Sequence, residues 1–208
     1  MSNEASKAMV RRNFDSRFAT RWLVGDGIDI GAGNDAIGMF SQMLPLMTSL
    51  RGWDLPDGDA MLMEGVADES LDFVHSSHCL EHLQDPLVAL GNWVRICKPG
   101  GHVVVMVPDE DLYEQGIFPS TFNDDHKWTF TVCKTGTWSP RSINLTALLG
   151  HFASVVSIQK IEVLDAGYHF GAPRFDQTGL VTGEAAIEFV LRKRTADEIA
   201  RGGRYPAA

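Results

Sequence analysis

Residues 75–86, HSSHCLEHLQDP, contain the spacing His78-x-x-Glu81-His82. Two histidines four apart with a glutamate between them is an arrangement by which a helix can grip a zinc ion. Such a helix must hold both imidazoles rigidly on one face, about 40° apart around its axis. Here His78 follows directly on the strand-like VHSS, and Pro86 disfavours helical geometry at Asp85. No downstream segment offers an obvious third ligand on a second helix. The spacing is therefore expected to hold no metal.

A second group with chemical potential is Gly31-Ala32-Gly33-Asn34-Asp35-Ala36, directly after the apolar GIDI. The first glycine permits a tight turn, and the second lets backbone amides approach a ligand with no side chain in the way. Taken alone, G-x-G-x-x-A fits a dinucleotide site and equally an ordinary strand-to-helix turn. Asp54, at the end of the next apolar run, adds a carboxylate that can accept both hydroxyls of a ribose. The acidic turn Gly58-Asp59-Ala60 and then Met61 follow it.

The elements that must position these residues follow from local patterning. The first two dozen residues, with Met9, Phe14, Phe18, Trp22 and Leu23 spaced among polar ones, predict a helix or two. GIDI and SLDFVHSS read as strands. Asp85 can cap a helix that Pro86 opens, and Leu87, Leu90, Val94 and Cys97 then share one face. Lys98-Pro99-Gly100-Gly101 ends that helix, and HVVVMVP is apolar throughout, as a central parallel strand should be. VVSIQKIEVL and AAIEFVLRKR alternate better and suit an edge hairpin, while the tail from Thr195 reads as loosely held. Strands alternating with helices predict an α/β sandwich around a mainly parallel sheet.

Composition narrows the function classes. The 208 residues carry 18 basic and 27 acidic side chains, a net charge of −9. That balance argues against broad nucleic-acid binding, which needs a positive field over the phosphates. Cys79, Cys97 and Cys133 have no paired spacing and read as free thiols of a reducing compartment. No apolar run approaches the roughly 20 residues that cross a bilayer, so the expectation is a soluble, cytoplasmic protein acting on a small molecule, with no membrane or nucleic-acid partner. Its oligomeric state is not readable.

In this order and spacing, IDIGAGN, LDFVHSSHCLEHLQDP and KPGGHVVVMVP resemble the glycine, fourth-strand and fifth-strand motifs of the class I S-adenosylmethionine-dependent methyltransferases. The likeness is greatest to the small bacterial methyltransferase domain 11-like enzymes, and covers about residues 25 to 110. It implies S-adenosyl-L-methionine as cofactor. It also implies one Rossmann-like, doubly wound α/β domain over residues 1–208, of about seven mainly parallel strands with an antiparallel edge strand. By the same resemblance Asp29, Gly31 and Gly33 receive the methionine end, and Asp54 the ribose. Asp59 faces the adenine amino group, Ala60 offers backbone contact and Met61 an apolar face. Ser77 and His78 border the sulfonium and the acceptor, and the Leu80–Leu83 turn carries no metal. The chain departs from the family at Asp35, where a third glycine is common, and in the five-residue gap between Asp54 and Asp59, where a whole helix is expected.

Residues 109–138 form an irregular acidic and aromatic insert beyond the fifth-strand motif, where ligands of parallel sheets sit. It offers Asp109, Glu110, Tyr113, Asp124, Asp125 and His126 as polar contacts, with Phe118, Phe122, Trp128 and Phe130 as walls. His126 is the first candidate for a base or substrate contact and His78 the second, because histidine titrates near neutrality. The plainer alternative is that His126 caps a loop. The expected reaction is methyl transfer to a small polar acceptor, O-methylation of a carbohydrate or hydroxylated metabolite by preference. The rivals are an NAD-dependent dehydrogenase, which leaves SSHCLEHL and KPGG unexplained, and a methyltransferase-like binding module without catalysis.

Overall fold

The computed structural model describes residues 4–205; the outermost residues of the 1–208 domain lie outside that range. Helix α1 (Glu4–Arg12) leads through a turn at Phe18–Trp22 into β1 (Gly25–Ile30). Strands β2 (Met47–Trp53) and β3 (Leu71–Ser77), helix α2 (Pro86–Ile96) and strand β4 (Cys97–Pro108) follow. The insert contributes β5 (Thr129–Thr131), then come β6 (Ser142–Asn144), α3 (Leu145–Gly150), β7 (Val156–Leu164), β8 (Ala186–Lys193) and α4 (Ala196–Ala200).

The main sheet has the order β2-β1-β3-β4-β8-β7, and β5 pairs with β6 apart from it. Strands β2, β1, β3 and β4 run parallel, whereas β8 is antiparallel to both its neighbours. Six strands rather than about seven form this sheet. The stretch from Asp54 to Ser70, where a further helix and strand would lie, is rich in glycine and acidic residues and runs mostly as turns. As expected, the sheet is mainly parallel with its antiparallel pairings at one edge, where β8 and β7 lie. Ile187, Phe189 and Leu191 of β8 bury on one face and Val190 on the other. A strand apolar on both faces belongs inside a sheet, so the half-exposed β7 takes the edge.

The two sides of the sheet are covered differently. Ile28, Ile30, Val74, Val103 and Val105 pack under α2 and α3, whose Leu90, Trp93, Leu145 and Leu149 are buried. The opposite face buries Phe73, Val104 and Val190 beneath Met9, Phe18, Trp22 and Ile37. The β1–β2 connection crosses the second face and the β2–β3 connection the first, so the winding reverses at β1. In open α/β sheets the ligand crevice lies at that reversal, beyond the carboxyl ends of the strands. Helix α2 starts where expected, because the Asp85 carboxylate accepts the Leu87 and Val88 amides and Pro86 occupies the first turn. The tail is tied down rather than loose: Thr195 and Glu198 form a capping box on α4, and Glu198 pairs with Arg192.

A polar line runs through the second face. Arg12 donates from Nε to Glu188 and sits 3.0 Å by Nη1 from His75 Nε2; His75 Nδ1 is 2.5 Å from Asp29 Oδ1. A guanidinium only donates, so His75 Nε2 accepts and its Nδ1–H donates to Asp29. The neighbouring guanidiniums of Arg12 and Arg11 hold the Glu188 carboxyl far below its usual range against the opposing effect of burial. Beside this line, the Phe73 ring lies flat over Gly27, where an added Cβ would come within 2.0 Å of it. Gly27→Ala is therefore expected to cost at least about 2 kcal/mol through overpacking, read as a lowered urea midpoint at unchanged slope.

Candidate functional site

Two adjoining cavities open beyond the carboxyl ends of β1 and β3. The larger, about 620 Å³, is walled by Asp29, Gly31, Gly33, Ser77 and His78, with Glu4 of α1 and Asn123 of the insert. The smaller, about 340 Å³, shares Glu4, His78 and Asn123 and adds Glu81, His82, Tyr113, Phe122 and His126. Volumes of this order suit small organic ligands.

The glycine bend is built by φ values of +72° at Gly31 and +50° at Gly33, a region open to glycine at no steric cost. The Gly31 amide donates to Trp53 O at 2.9 Å, which fastens the bend to the end of β2. Asp54 is the next residue, but it lies outside the walls of both cavities, and its Oδ1 accepts the Leu55 amide at 2.8 Å. Asp29 is only 2% exposed. Its Oδ1 meets His75 and its Oδ2 accepts the Ile37 amide, so both oxygens serve the loop. Asp35, standing where a glycine was expected, accepts the backbone and hydroxyl of Ser6 and seats α1 over the bend.

Asp59, Ala60 and Met61 lie outside the walls of both cavities. Asp59 is exposed, and its carboxylate accepts the Met61 amide. The Ala60 carbonyl is turned inward to the Trp93 indole, and the Met61 carbonyl to Asn92. At the end of β3, His78 has a φ of +52°, uncommon for a side-chain-bearing residue. Buried Ser77 Oγ and His78 Nε2 have no hydrogen-bond partner.

The insert is fastened to two backbone carbonyls of the turn after β3. The Lys127 amide donates to Glu81 O, and the Trp128 indole donates to Leu83 O. His126 is thereby buried with Nδ1 2.7 Å from Glu114 Oε1 and Nε2 3.9 Å from Glu81 Oε1. Burial alone would raise the Glu81 carboxyl, but the imidazoles of His78, His82 and His126 outweigh it and hold it low. His78 is raised: burial opposes its charge, and Glu81 beside it prevails. Tyr113 and Phe122 wall the smaller cavity, whereas Asp109, Glu110 and Phe130 are structural. Asp109 caps the turn after β4, its pKa pushed up to about 6 by burial. Glu110 is taken by Lys134, Thr129 and Ser142, and Phe130 is core.

The larger cavity fits the cofactor implied by the sequence. A Cβ at Gly33 would meet nothing nearer than Gly31 O at 4.0 Å, so that side of the bend is open to a ligand. Ser77 Oγ adds a buried hydroxyl in want of a partner. A family model described as a methyltransferase domain matches residues 7–152. The chain belongs to the methyltransferase family. This methyltransferase is 36% identical to an uncharacterized methyltransferase of Schizosaccharomyces pombe over 58 residues, which are 28% of this chain and 20% of the relative. Its fold resembles that of a SAM-dependent methyltransferase from Archaeoglobus fulgidus, with a TM-score of 0.60 at 18% identity, covering 93% of this chain and 95% of that one. A SAM-dependent methyltransferase from Thermotoga maritima aligns with a TM-score of 0.53 at 17% identity over 91% of each chain. The chain thus has the fold shared by these solved methyltransferases. Among its described residues no helix is long and apolar enough to cross a membrane.

Sequence reasoning missed Glu4, Glu114 and Asn123. Glu4 and Asn123 sit in segments without periodicity toward the site, and Glu114 is one carboxylate among several in an acidic stretch.

Proposed function

We propose that this methyltransferase O-methylates a small hydroxylated acceptor, a carbohydrate by preference, which docks in the smaller cavity. One observation carries the reading: the acceptor-sized cavity adjoins the glycine-bend cavity through His78, and His126 presents Nε2 inside it. Within the family, the LEHL turn and KPGG favour a domain 11-like enzyme.

S-Adenosylmethionine supplies a methyl group on a positively charged sulfur, which leaves as a neutral thioether. Gly31 and Gly33 receive its methionine end, with Asp29 shaping the bend from beneath. Asp54 takes the ribose diol, and Ser77 and His78 border the sulfonium. Asp59, Ala60 and Met61 lie outside the cavity walls and would meet only the solvent edge of the adenine.

Glu114 holds His126 with Nδ1–H donating, so Nε2 carries a lone pair toward the acceptor. The acceptor hydroxyl gives its proton to an imidazole. Deprotonated by the imidazole and held in line by the cavity walls, its oxygen would be the nucleophile toward the methyl group that the bound cofactor would supply. Tyr113 and Phe122, edge to face at 5.8 Å, wall the acceptor from water.

Calorimetric titration tests the cofactor half directly. S-Adenosylhomocysteine is expected to bind and NAD not to bind. Asp54→Ala is expected to weaken the former at least tenfold by removing two charge-assisted hydrogen bonds. An unchanged affinity would refute the ribose assignment, and NAD binding would favour a dehydrogenase. Turnover of an acceptor panel separates the enzyme from a binding module.

A further inference from the structure

The smaller cavity contains a problem of charge that the acceptor reading leaves unsolved. Glu81 is fully buried, and neither carboxylate oxygen has a hydrogen-bond partner. His78 Nδ1 approaches Oε1 at 3.4 Å without making one. Burying a carboxylate that accepts no hydrogen bond is costly, and imidazoles at 3.4–3.9 Å offset that cost only in part, so the site favours a group that reaches the carboxylate directly.

What faces Glu81 is a matched pair of imidazoles. His82 Nε2 lies 3.8 Å from Glu81 Oε1 and His126 Nε2 lies 3.9 Å from the same atom. Each ring is backed by a carboxylate on its other nitrogen: His82 Nδ1 is 2.9 Å from Asp125 Oδ2, and His126 Nδ1 is 2.7 Å from Glu114 Oε1. Those contacts place the proton on Nδ1 and leave a lone pair on each Nε2. Three acceptor atoms therefore converge within 4.8 Å of one another. A water molecule has two protons to offer three acceptors; a cation satisfies all three together.

We propose that Glu81, His82 and His126 bind one divalent transition-metal cation of the zinc type, with its open position facing the acceptor. Two histidines and one carboxylate are a ligand set that such cations favour, and carboxylates behind ligating histidines fix their tautomer. Tetrahedral ligation at about 2.1 Å needs ligand atoms roughly 3.4 Å apart, so the two gaps to Glu81 close with side-chain shifts of about half an ångström, and the two imidazoles, within 4.8 Å of each other, draw together with them. The set departs from the zinc reading of His78-x-x-Glu81-His82, which used two imidazoles of one helix. His78 is not a ligand here, and the third ligand comes from an irregular segment. The cation's role rests on the methyl-transfer reading: it would draw the acceptor hydroxyl in and lower its pKa, as it does for bound water. With His126 Nε2 taken up as a ligand, the acceptor proton would pass to His78, which lines both cavities. Metal binding itself is independent of that reading.

The test is titration of chelator-stripped protein with Co²⁺, followed by visible absorption, and with Zn²⁺ in competition. One equivalent is expected to bind with d–d bands of low coordination number. His82→Ala and His126→Ala should each weaken it at least 100-fold, and Asp125→Ala, which only holds His82, about tenfold. S-Adenosylhomocysteine affinity of His82→Ala, measured in parallel, should stay within about threefold and so report an intact fold. Absence of stoichiometric Co²⁺ binding, or its persistence in the His82→Ala/His126→Ala double variant, overturns the proposal. Loss of S-adenosylhomocysteine binding in the wild type would instead strike the methyl-transfer reading and leave the metal result standing.

Discussion

Gly31→Val is expected to reduce S-adenosylhomocysteine affinity by more than 100-fold, the largest effect of any single substitution on cofactor binding. Three consequences combine. A β-branched residue at a φ of +72° is strained by roughly 1–2 kcal/mol or more. The new Cβ would also stand 2.7 Å from Cys79 Cβ and 2.9 Å from its sulfur, in the turn that carries His78 and Glu81. Relief of that clash moves the bend away from Trp53 O and hence from Asp54. Since about 1.4 kcal/mol is tenfold in affinity, modest displacement at both cavity edges suffices. Gly202→Val is the control: its φ is +67° and no atom lies within 4 Å of its added Cβ. It carries the backbone strain without the displacement, and its affinity should match wild type. Equal loss in both variants would show that Gly31 acts through global stability and not through the bend.

The bend was legible in the sequence because glycine chemistry is local: two glycines after an apolar strand specify a tight turn whatever lies elsewhere. The same holds for α2, where Asp85 and Pro86 write their own cap, and for the apolar β4. The number and order of strands were less legible. That β8 lies inside β7 follows from burial of both its faces, and two alternating segments in sequence do not reveal which is covered. Asp29 shows a different limit. Its place beside the glycines is a sequence fact, but its oxygens are spent on His75 and Ile37. The ring it meets is fixed by Arg12 and Glu188, residues far apart in the chain with no shared period. The convergence of His82 with Asp125 spans 43 residues, through α2, β4 and then irregular backbone. Such contacts come from the return path of a loop, which is set by tertiary packing such as Trp128 on Leu83.

His126→Ala is expected to lower turnover at least 100-fold while leaving S-adenosylhomocysteine affinity within about threefold. The split follows from position. His126 walls the smaller cavity and is absent from the walls of the larger one. Loss of a positioned acid–base or acceptor-binding group removes about 10²–10⁴ in rate, whereas the glycine bend, Asp54 and Ser77 are untouched. The substitution also strips Glu114 of its buried partner and Glu81 of a nearby imidazole, so stability should fall by roughly 3 kcal/mol. Assays below the lowered melting temperature keep the two effects apart. Glu114→Gln supplies the second arm. A glutamine there can still meet the ring, but its amide no longer stabilises a charged imidazole, so turnover should drop less than in His126→Ala while cofactor affinity holds. Parallel loss of turnover and affinity in both variants would reduce His126 to a loop cap. A turnover defect confined to kcat and acceptor KM would leave the imidazole working on the acceptor side of the transferring methyl group.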